Sequence, residues 1–132
     1  MREIKFRGQT GTTEGKKWVY GNYYKVKSFF NDKECHFIGM IRNNHLNDFN
    51  VDENTLGQFT GLKDKNGKEI YEGDILKSMQ WKDIYLVKYI GTAFYLCRKG
   101  NKGFNKITTW NNAEKSEVVG NIYDNPELLK ED

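Results

Sequence analysis

The chain has 132 residues, of which 37% are hydrophobic and 14% aromatic, and its formal net charge is +3. This composition excludes a disordered chain, because 8 Phe, 8 Tyr and 3 Trp can bury large apolar areas in a core. No run approaches the roughly 18 apolar residues of a membrane-spanning helix, and no signal segment follows Met1, so we expect a cytoplasmic protein.

Alternating apolar and polar residues predict strands in the N-terminal half. Residues 3–7 alternate as a half-buried strand, and residues 17–27 form the longest predicted strand. One face of that strand carries Trp18, Tyr20, Tyr24 and Val26. A short apolar run predicts a buried strand at 35–41, and the Asn-rich residues 42–50 predict a loop.

Turn residues divide the C-terminal half into short strands. Asn66-Gly67 predicts a two-residue hairpin turn, because both positions of such a turn favour positive φ. Residues 84–90 are apolar on both faces and predict a central strand. Pro126 predicts the start of one helical turn. The other predicted strands are 58–62, 69–71, 75–79, 94–98, 104–110 and 117–123.

These elements together predict a mainly β fold with little helix. Two alanines against 13 glycines favour strands and turns. Short strands at this spacing are typical of a small barrel or a sandwich. We expect a single domain over residues 1–132 with a point of subdivision near 50–55, and two intertwined all-β subdomains are the alternative arrangement.

Three blocks of the sequence resemble the YopX family of phage and prophage proteins. The longest runs from Val51 to Ile75 and contains Gly-Gln-Phe-Thr-Gly-Leu-Lys-Asp-Lys-Asn-Gly-Lys-Glu-Ile-Tyr-Glu-Gly-Asp. The others are residues 1–8 with 17–21, and residues 119–129. The resemblance implies a mainly β fold with an SH3-like barrel element in the C-terminal half, and a phage or prophage origin in a bacterial host. It supplies no catalytic residue and no ligand.

No recognisable catalytic, cofactor or metal site is present in the sequence. Cys35 and His36 are adjacent, so in a strand their side chains point to opposite faces. Without a secretory signal we expect Cys35 and Cys97 to be reduced, buried thiols. The carboxylates of the turn region, which are Asp64, Glu69, Glu72 and Asp74, lack calcium-loop spacing and are expected to be solvated turn residues. We therefore expect a protein that is not an enzyme and has no small-molecule substrate.

The segment 77–106 carries seven basic residues and one acidic residue, a net charge of +6. Basic residues follow phosphates, and exposed aromatic rings on a sheet can stack on bases. The opposing interpretation is that the rings form the core while the lysines are merely solvated. The candidate nucleic-acid-binding residues are Lys77, Trp81, Lys82, Tyr85, Lys88, Tyr95, Arg98, Lys99, Lys102 and Lys106.

Two functions follow from these patterns. The favoured one is a protein-interaction or self-assembly module, because charge is segregated along the chain (+5, −4, +6 and −4 in residues 1–28, 29–76, 77–106 and 107–132) and Tyr and Trp suit interfaces. The alternative is a nucleic-acid-binding accessory protein, which requires Trp81 and either Tyr85 or Tyr95 to be exposed beside the lysines.

Overall fold

The structure, a computed structural model, describes residues 3–11, 15–80, 83–100 and 102–130. The chain divides into two units, Met1–Phe59 (unit 1) and Thr60–Asp132 (unit 2). The single domain over 1–132, with its subdivision near 50–55, stays a prediction.

Unit 1 is an antiparallel sheet with its core on one face. Its strands are β1 (Phe6–Gln9), β2 (Trp18–Lys27), β3 (Glu34–Arg42), β4 (His45–Asn50) and the first residues of β5 (Gly57–Lys63), in the order β4-β3-β2-β1-β5. A 3-10 turn at Glu53–Thr55 precedes β5. The buried core comprises Val19, Ile38 and Val51, and Phe6, Tyr23, Met40, Phe49 and Leu56 pack against it.

The sheet of unit 1 curls because the chain after β4 returns to β1. Val51 forms an isolated antiparallel bridge with Thr10, and the backbone N–H of Asp52 donates to the carbonyl of Gln9 at 2.9 Å. Gly8 permits this approach, since a Cβ there would lie 3.0 Å from the Val51 side chain. The curl encloses the core without turning the described part of the sheet into a closed barrel.

The prediction for residues 17–27 is confirmed by β2, whereas the predicted loop at 42–50 is wrong. Most of that segment is β4, which pairs in register with β3. Asn43 and Asn44 have φ values of 53° and 63°, as the central residues of a tight hairpin turn do. The asparagines therefore mark a two-residue turn, while pairing with β3 holds the polar residues after it in a strand.

Unit 2 is built around a five-stranded antiparallel sheet. After the end of β5 come β6 (Glu69–Tyr71), β7 (Asp74–Ser78), β8 (Ile84–Ile90), β9 (Ala93–Gly100), β10 (Gly103–Thr108), the short helix α1 (Asn111–Glu114) and β11 (Ser116–Asn121). The order in the sheet is β10-β9-β8-β7-β11, while the end of β5 pairs with β6. The central position of β8 confirms the prediction for residues 84–90. The core comprises Ile70, Leu76, Tyr85, Val87, Leu96 and Ala113.

The mainly β prediction with little helix is confirmed. Helical structure among the described residues is limited to α1 and two 3-10 segments, Glu53–Thr55 and Pro126–Leu129, the second of which begins at the predicted Pro126. Neither sheet closes into a barrel within those residues, and the SH3-like element stays a prediction. None of the described helices has the length and apolar character needed to cross a bilayer.

Asp64 and Asp74 are buried, so the prediction that they are solvated turn residues is wrong. One Asp64 oxygen accepts the backbone N–H groups of Asn66 and Lys68, at 2.8 and 2.9 Å. The other accepts the N–H of Val118 in β11, at 2.9 Å. Asp74 accepts the N–H of Tyr71 at 2.8 Å. These carboxylates are sequestered because they satisfy backbone donors that burial would otherwise leave unpaired.

We predict that Asp64→Ala destabilises the protein by about 3 kcal/mol, because it leaves three backbone donors without their charged acceptor. Asp64→Asn should cost less, since its amide oxygen still accepts two of these bonds while its NH₂ group faces the third donor. Urea unfolding followed by circular dichroism measures both effects.

The matched control is Asp52→Ala. Asp52 caps the 3-10 turn with a single exposed hydrogen bond to the Asn54 N–H, at 3.0 Å, and its loss should cost about 1 kcal/mol. Equal costs for Asp64→Ala and Asp52→Ala would contradict the structural role assigned to Asp64.

Candidate functional site

On the side of the unit 1 sheet that points away from its core, β2, β3 and β4 carry apolar side chains, most of which are exposed. Tyr24 lies opposite Phe37 in the β2–β3 register, and their rings stack at a centroid distance of 5.3 Å. Ile41 lies opposite Leu46 in the β3–β4 register, and these two side chains are 79% and 68% exposed. We call this surface the β2–β4 face; it consists of Tyr20, Tyr24, Val26, Phe37, Ile41 and Leu46.

The predicted grouping of Trp18, Tyr20, Tyr24 and Val26 on one side of β2 agrees with this register. The alternating partners Val19 and Tyr23 belong to the core side instead. Asp48 is the acidic residue among the β4 positions on the exposed side, and its hydrogen bond with the Tyr24 hydroxyl raises the pKa of Tyr24. The prediction of a buried strand at 35–41 holds only for its core-facing residues, since Ile41 is exposed.

A second exposed apolar feature of unit 1 is the tip of the β2–β3 hairpin. Phe29 and Phe30 are each 96% exposed, and their rings touch edge to face at 5.9 Å. The hydrogen bond from the Ser28 N–H to the Lys33 carbonyl closes the loop beneath them. This tip and the Ile41–Leu46 pair lie at opposite ends of β3.

Unit 2 carries a groove of about 440 Å³ whose rim is basic. Arg98 and Lys99 come from β9 and Lys106 from β10, while Lys130 follows the last 3-10 segment. Phe104, Ile84 and leucines of the 3-10 segment form apolar walls, and Asp83 is the acidic residue in the lining. Lys102 lines an adjoining hollow that shares Lys99 and Lys106 with the groove. We call this site the basic groove.

The structure brings together only part of the predicted nucleic-acid-binding set. Arg98, Lys99 and Lys106 line the basic groove and Lys102 lies beside it. Lys77 instead lies opposite Glu117 in the β7–β11 register. Lys88 is half-buried opposite Tyr95 on β8 and β9, and neither lysine is among the residues lining the groove.

One of the two aromatic members of that set that the structure describes is not available for stacking. Tyr85 is 4% exposed within the core, so the prediction that it is exposed beside the lysines is wrong. It lies opposite Leu76 in the β7–β8 register, which turns its ring toward the buried layer, and burial raises the pKa of Tyr85. Tyr95 is half-buried. Trp81 and Lys82 lie outside the described residues.

Sequence reasoning missed Lys130, because nothing local in the chain connects it to β9 and β10, which end at Gly100 and Thr108. It also missed Ile41 and Leu46, since residues 42–50 were predicted to be a loop. The paired asparagines at 43–44 were the signal that could have identified a hairpin there.

Cys35 and His36 point to opposite sides of β3, as predicted. His36 is buried, and its Nδ1 lies 2.7 Å from the Tyr23 hydroxyl. Its Nε2 lies 2.9 Å from Glu53 Oε2, an ion-pair distance without the angle of a hydrogen bond. Within the described ranges, no three His, Cys, Asp or Glu residues are grouped so that they could hold a metal ion.

The chain has clear similarity to known proteins along almost its whole length. The family model described as YopX protein matches residues 5–130. The crystal structure of protein EF1440 from Enterococcus faecalis is similar with a TM-score of 0.56 and 26% sequence identity, over 98% of this chain and 100% of that one. No match was found among curated proteins.

Both cysteines are free, but only Cys97 is buried, so the prediction of two buried thiols is wrong for Cys35. Burial raises the pKa of Cys97, which lowers its thiolate fraction at a given pH.

We predict that iodoacetamide modifies Cys35 first in the native protein, and that Cys97 reacts at the rate of unfolding. Peptide mass spectrometry during a time course measures both rates. Equal native rates would contradict this assignment, and urea-unfolded protein is the control in which both thiols should react alike.

Proposed function

This chain belongs to the YopX protein family, and on that premise we propose that it is a non-catalytic protein-interaction module that self-associates through β4 and the β2–β4 face. The proposal includes a phage or prophage origin and a cytoplasmic location in a bacterial host. A second copy of the chain is the partner proposed.

The observation that carries the proposal is the exposed apolar pair at the edge of the sheet. Ile41 and Leu46 are neighbours across β3 and β4, and both are largely exposed. On the same face, beyond the intervening Gly39–Asp48 pair, Tyr24 and Phe37 add further apolar area. Exposed apolar area of this kind is typical of a surface that another protein covers.

The backbone of β4 supplies a second reason for self-association. The Val51 N–H donates to the His36 carbonyl at 2.9 Å, which makes these residues a hydrogen-bonded pair of the antiparallel ladder. Because such pairs alternate, Leu46 and Asp48 turn their backbone N–H and C=O groups away from β3. Strand edges are often protected by proline or by charged side chains, lysine above all. The His45–Asn50 strand contains neither proline nor lysine, and Asp48 is its acidic residue.

Two copies of β4 can pair with each other in antiparallel fashion around a two-fold axis. Such an interface is self-complementary, since each copy contributes the same strand. A register that places Leu46 opposite Asp48 of the second copy uses the outward backbone groups of both residues. It also avoids placing Asp48 opposite its own copy, where like charges would destabilise the pair. This pairing places each Leu46 side chain beside β4 of the other copy, which covers part of its exposed apolar area.

We predict that the wild-type protein forms a dimer as its concentration is raised, and that Leu46→Pro is monomeric. Proline removes the outward N–H of residue 46 and the exposed apolar side chain, while the N–H groups that pair with β3 belong to other residues. Size-exclusion chromatography with light scattering measures the mass, and far-ultraviolet circular dichroism checks that the variant stays folded.

The matched control removes exposed apolar area from the same unit but away from β4. Phe29→Ser combined with Phe30→Ser should leave the dimer intact, because the hairpin tip lies at the other end of β3. If the dimer persists in Leu46→Pro but is lost in the Phe29 and Phe30 variant, the interface is the hairpin tip and not β4. A wild-type protein that stays monomeric at millimolar concentration would overturn self-association.

A further inference from the structure

Two cations of unit 2 face each other directly across neighbouring strands. Arg98 of β9 and Lys106 of β10 are partners in the antiparallel register, and both side chains are exposed. Directly opposed residues have Cβ atoms about 5 Å apart, so like charges in these positions destabilise the sheet. A sequence selected for stability alone would place a carboxylate or a neutral side chain at one of the two positions.

The surroundings of this pair increase the positive charge. Lys99 and Lys130 line the same groove, and Lys102 lines the adjoining hollow. Asp83 is the acidic residue in the groove lining. Across the described ranges of the chain, neither Arg98 nor Lys106 forms an ion pair with a carboxylate. The unfavourable charge is therefore left for a ligand to neutralise.

The shape and the walls of the groove narrow the class of that ligand. A volume of about 440 Å³ is that of a pocket for a small molecule or a single extended chain. Phe104 is half-buried and lines the groove, so part of its ring remains accessible beside the cations. Cations that contact phosphates next to an aromatic ring that stacks on a base are the usual elements of single-strand binding.

We propose that the basic groove binds single-stranded nucleic acid, with Arg98, Lys106 and Lys130 contacting successive phosphates and Phe104 contacting a base. An acidic peptide would satisfy the cations but would leave the ring without a planar partner. The site differs from the segment-wide surface that the sequence predicts: it excludes Lys77, Lys88 and Tyr85 and adds Lys130. It does not rest on self-association, which uses residues of unit 1.

The test is fluorescence anisotropy with fluorescein-labelled oligothymidine, a duplex of the same length and polyglutamate, each over a salt series. We expect the wild-type protein to bind oligothymidine more tightly than the other two. Each phosphate contact removed should lower the magnitude of the slope of log K against log salt by about 0.7. We expect this decrease in each of the single variants Arg98→Ala, Lys106→Ala and Lys130→Ala. Phe104→Leu should weaken binding without changing the slope.

Lys77→Ala is the matched control, since it removes one exposed lysine from the same sheet outside the groove, and its slope should equal that of the wild-type protein. Lys106→Ala should also keep or raise the thermal midpoint at low salt, because it removes a like-charge contact. Any of four results would overturn the proposal. Two concern the ligand: no binding at low salt, or equal affinity for oligothymidine and for the duplex or polyglutamate. Two concern the variants: equal losses of oligothymidine affinity in Lys77→Ala and Lys106→Ala, or a lowered thermal midpoint in Lys106→Ala. Because Leu46→Pro should bind oligothymidine as the wild-type protein does, failure of one proposal can be told from failure of the other.

Discussion

The buried carboxylate of Asp64 is the contact on which the organisation of unit 2 depends. Its two oxygens accept three backbone N–H groups, two in the turn that joins β5 to β6 and one from Val118 in β11. The Lys65 N–H adds a bond to the Ser116 carbonyl. Since β11 is the edge strand beside β7, a single side chain fixes both a local turn and the position of a distant strand. An ionised acceptor suits this role, because hydrogen bonds to a charge are stronger than those between neutral groups.

Backbone geometry also accounts, without any ligand, for residues of the 119–129 block that resembles the family. Gly120 has no room for a Cβ, which would lie 2.4 Å from Asn125 Oδ1. Asn121 accepts the N–H groups of Tyr123 and Asp124 and so closes the turn after β11. Residues of this kind maintain backbone geometry, and neither of them is among the residues that define the two surfaces of the functional proposals. The candidate functional surfaces are instead those whose residues lower the stability of the fold, namely the exposed apolar side chains and the opposed like charges.

Both surfaces arise because side chains alternate between the two faces of each strand, while the small core of each unit does not cover all of them. In unit 1 the side chains of Val19, Tyr23 and Ile38 supply one face of the sheet with its core, and alternation sends the residues between them outward. The outward residues are nevertheless apolar at Ile41 and Leu46. In unit 2 the register of β9 and β10 opposes Arg98 and Lys106, so the groove is a consequence of pairing rather than of any local motif. The two surfaces thus differ in what makes them unfavourable for stability: exposed apolar area on the β2–β4 face, and unbalanced positive charge in the basic groove.

The sequence by itself determined the mainly β class, the long strand β2 with the residues that share its exposed side, the central strand β8, and the family likeness. Periodicity, turn chemistry and long motifs carry that information within a few neighbouring residues. Only the tertiary structure decided that residues after Asn44 form β4, that Asp64 is buried, that Tyr85 belongs to the core, and that Lys130 joins Arg98 at one groove. These features depend on which strands pair and in what register, and pairing between residues far apart in the chain leaves no local periodic signal.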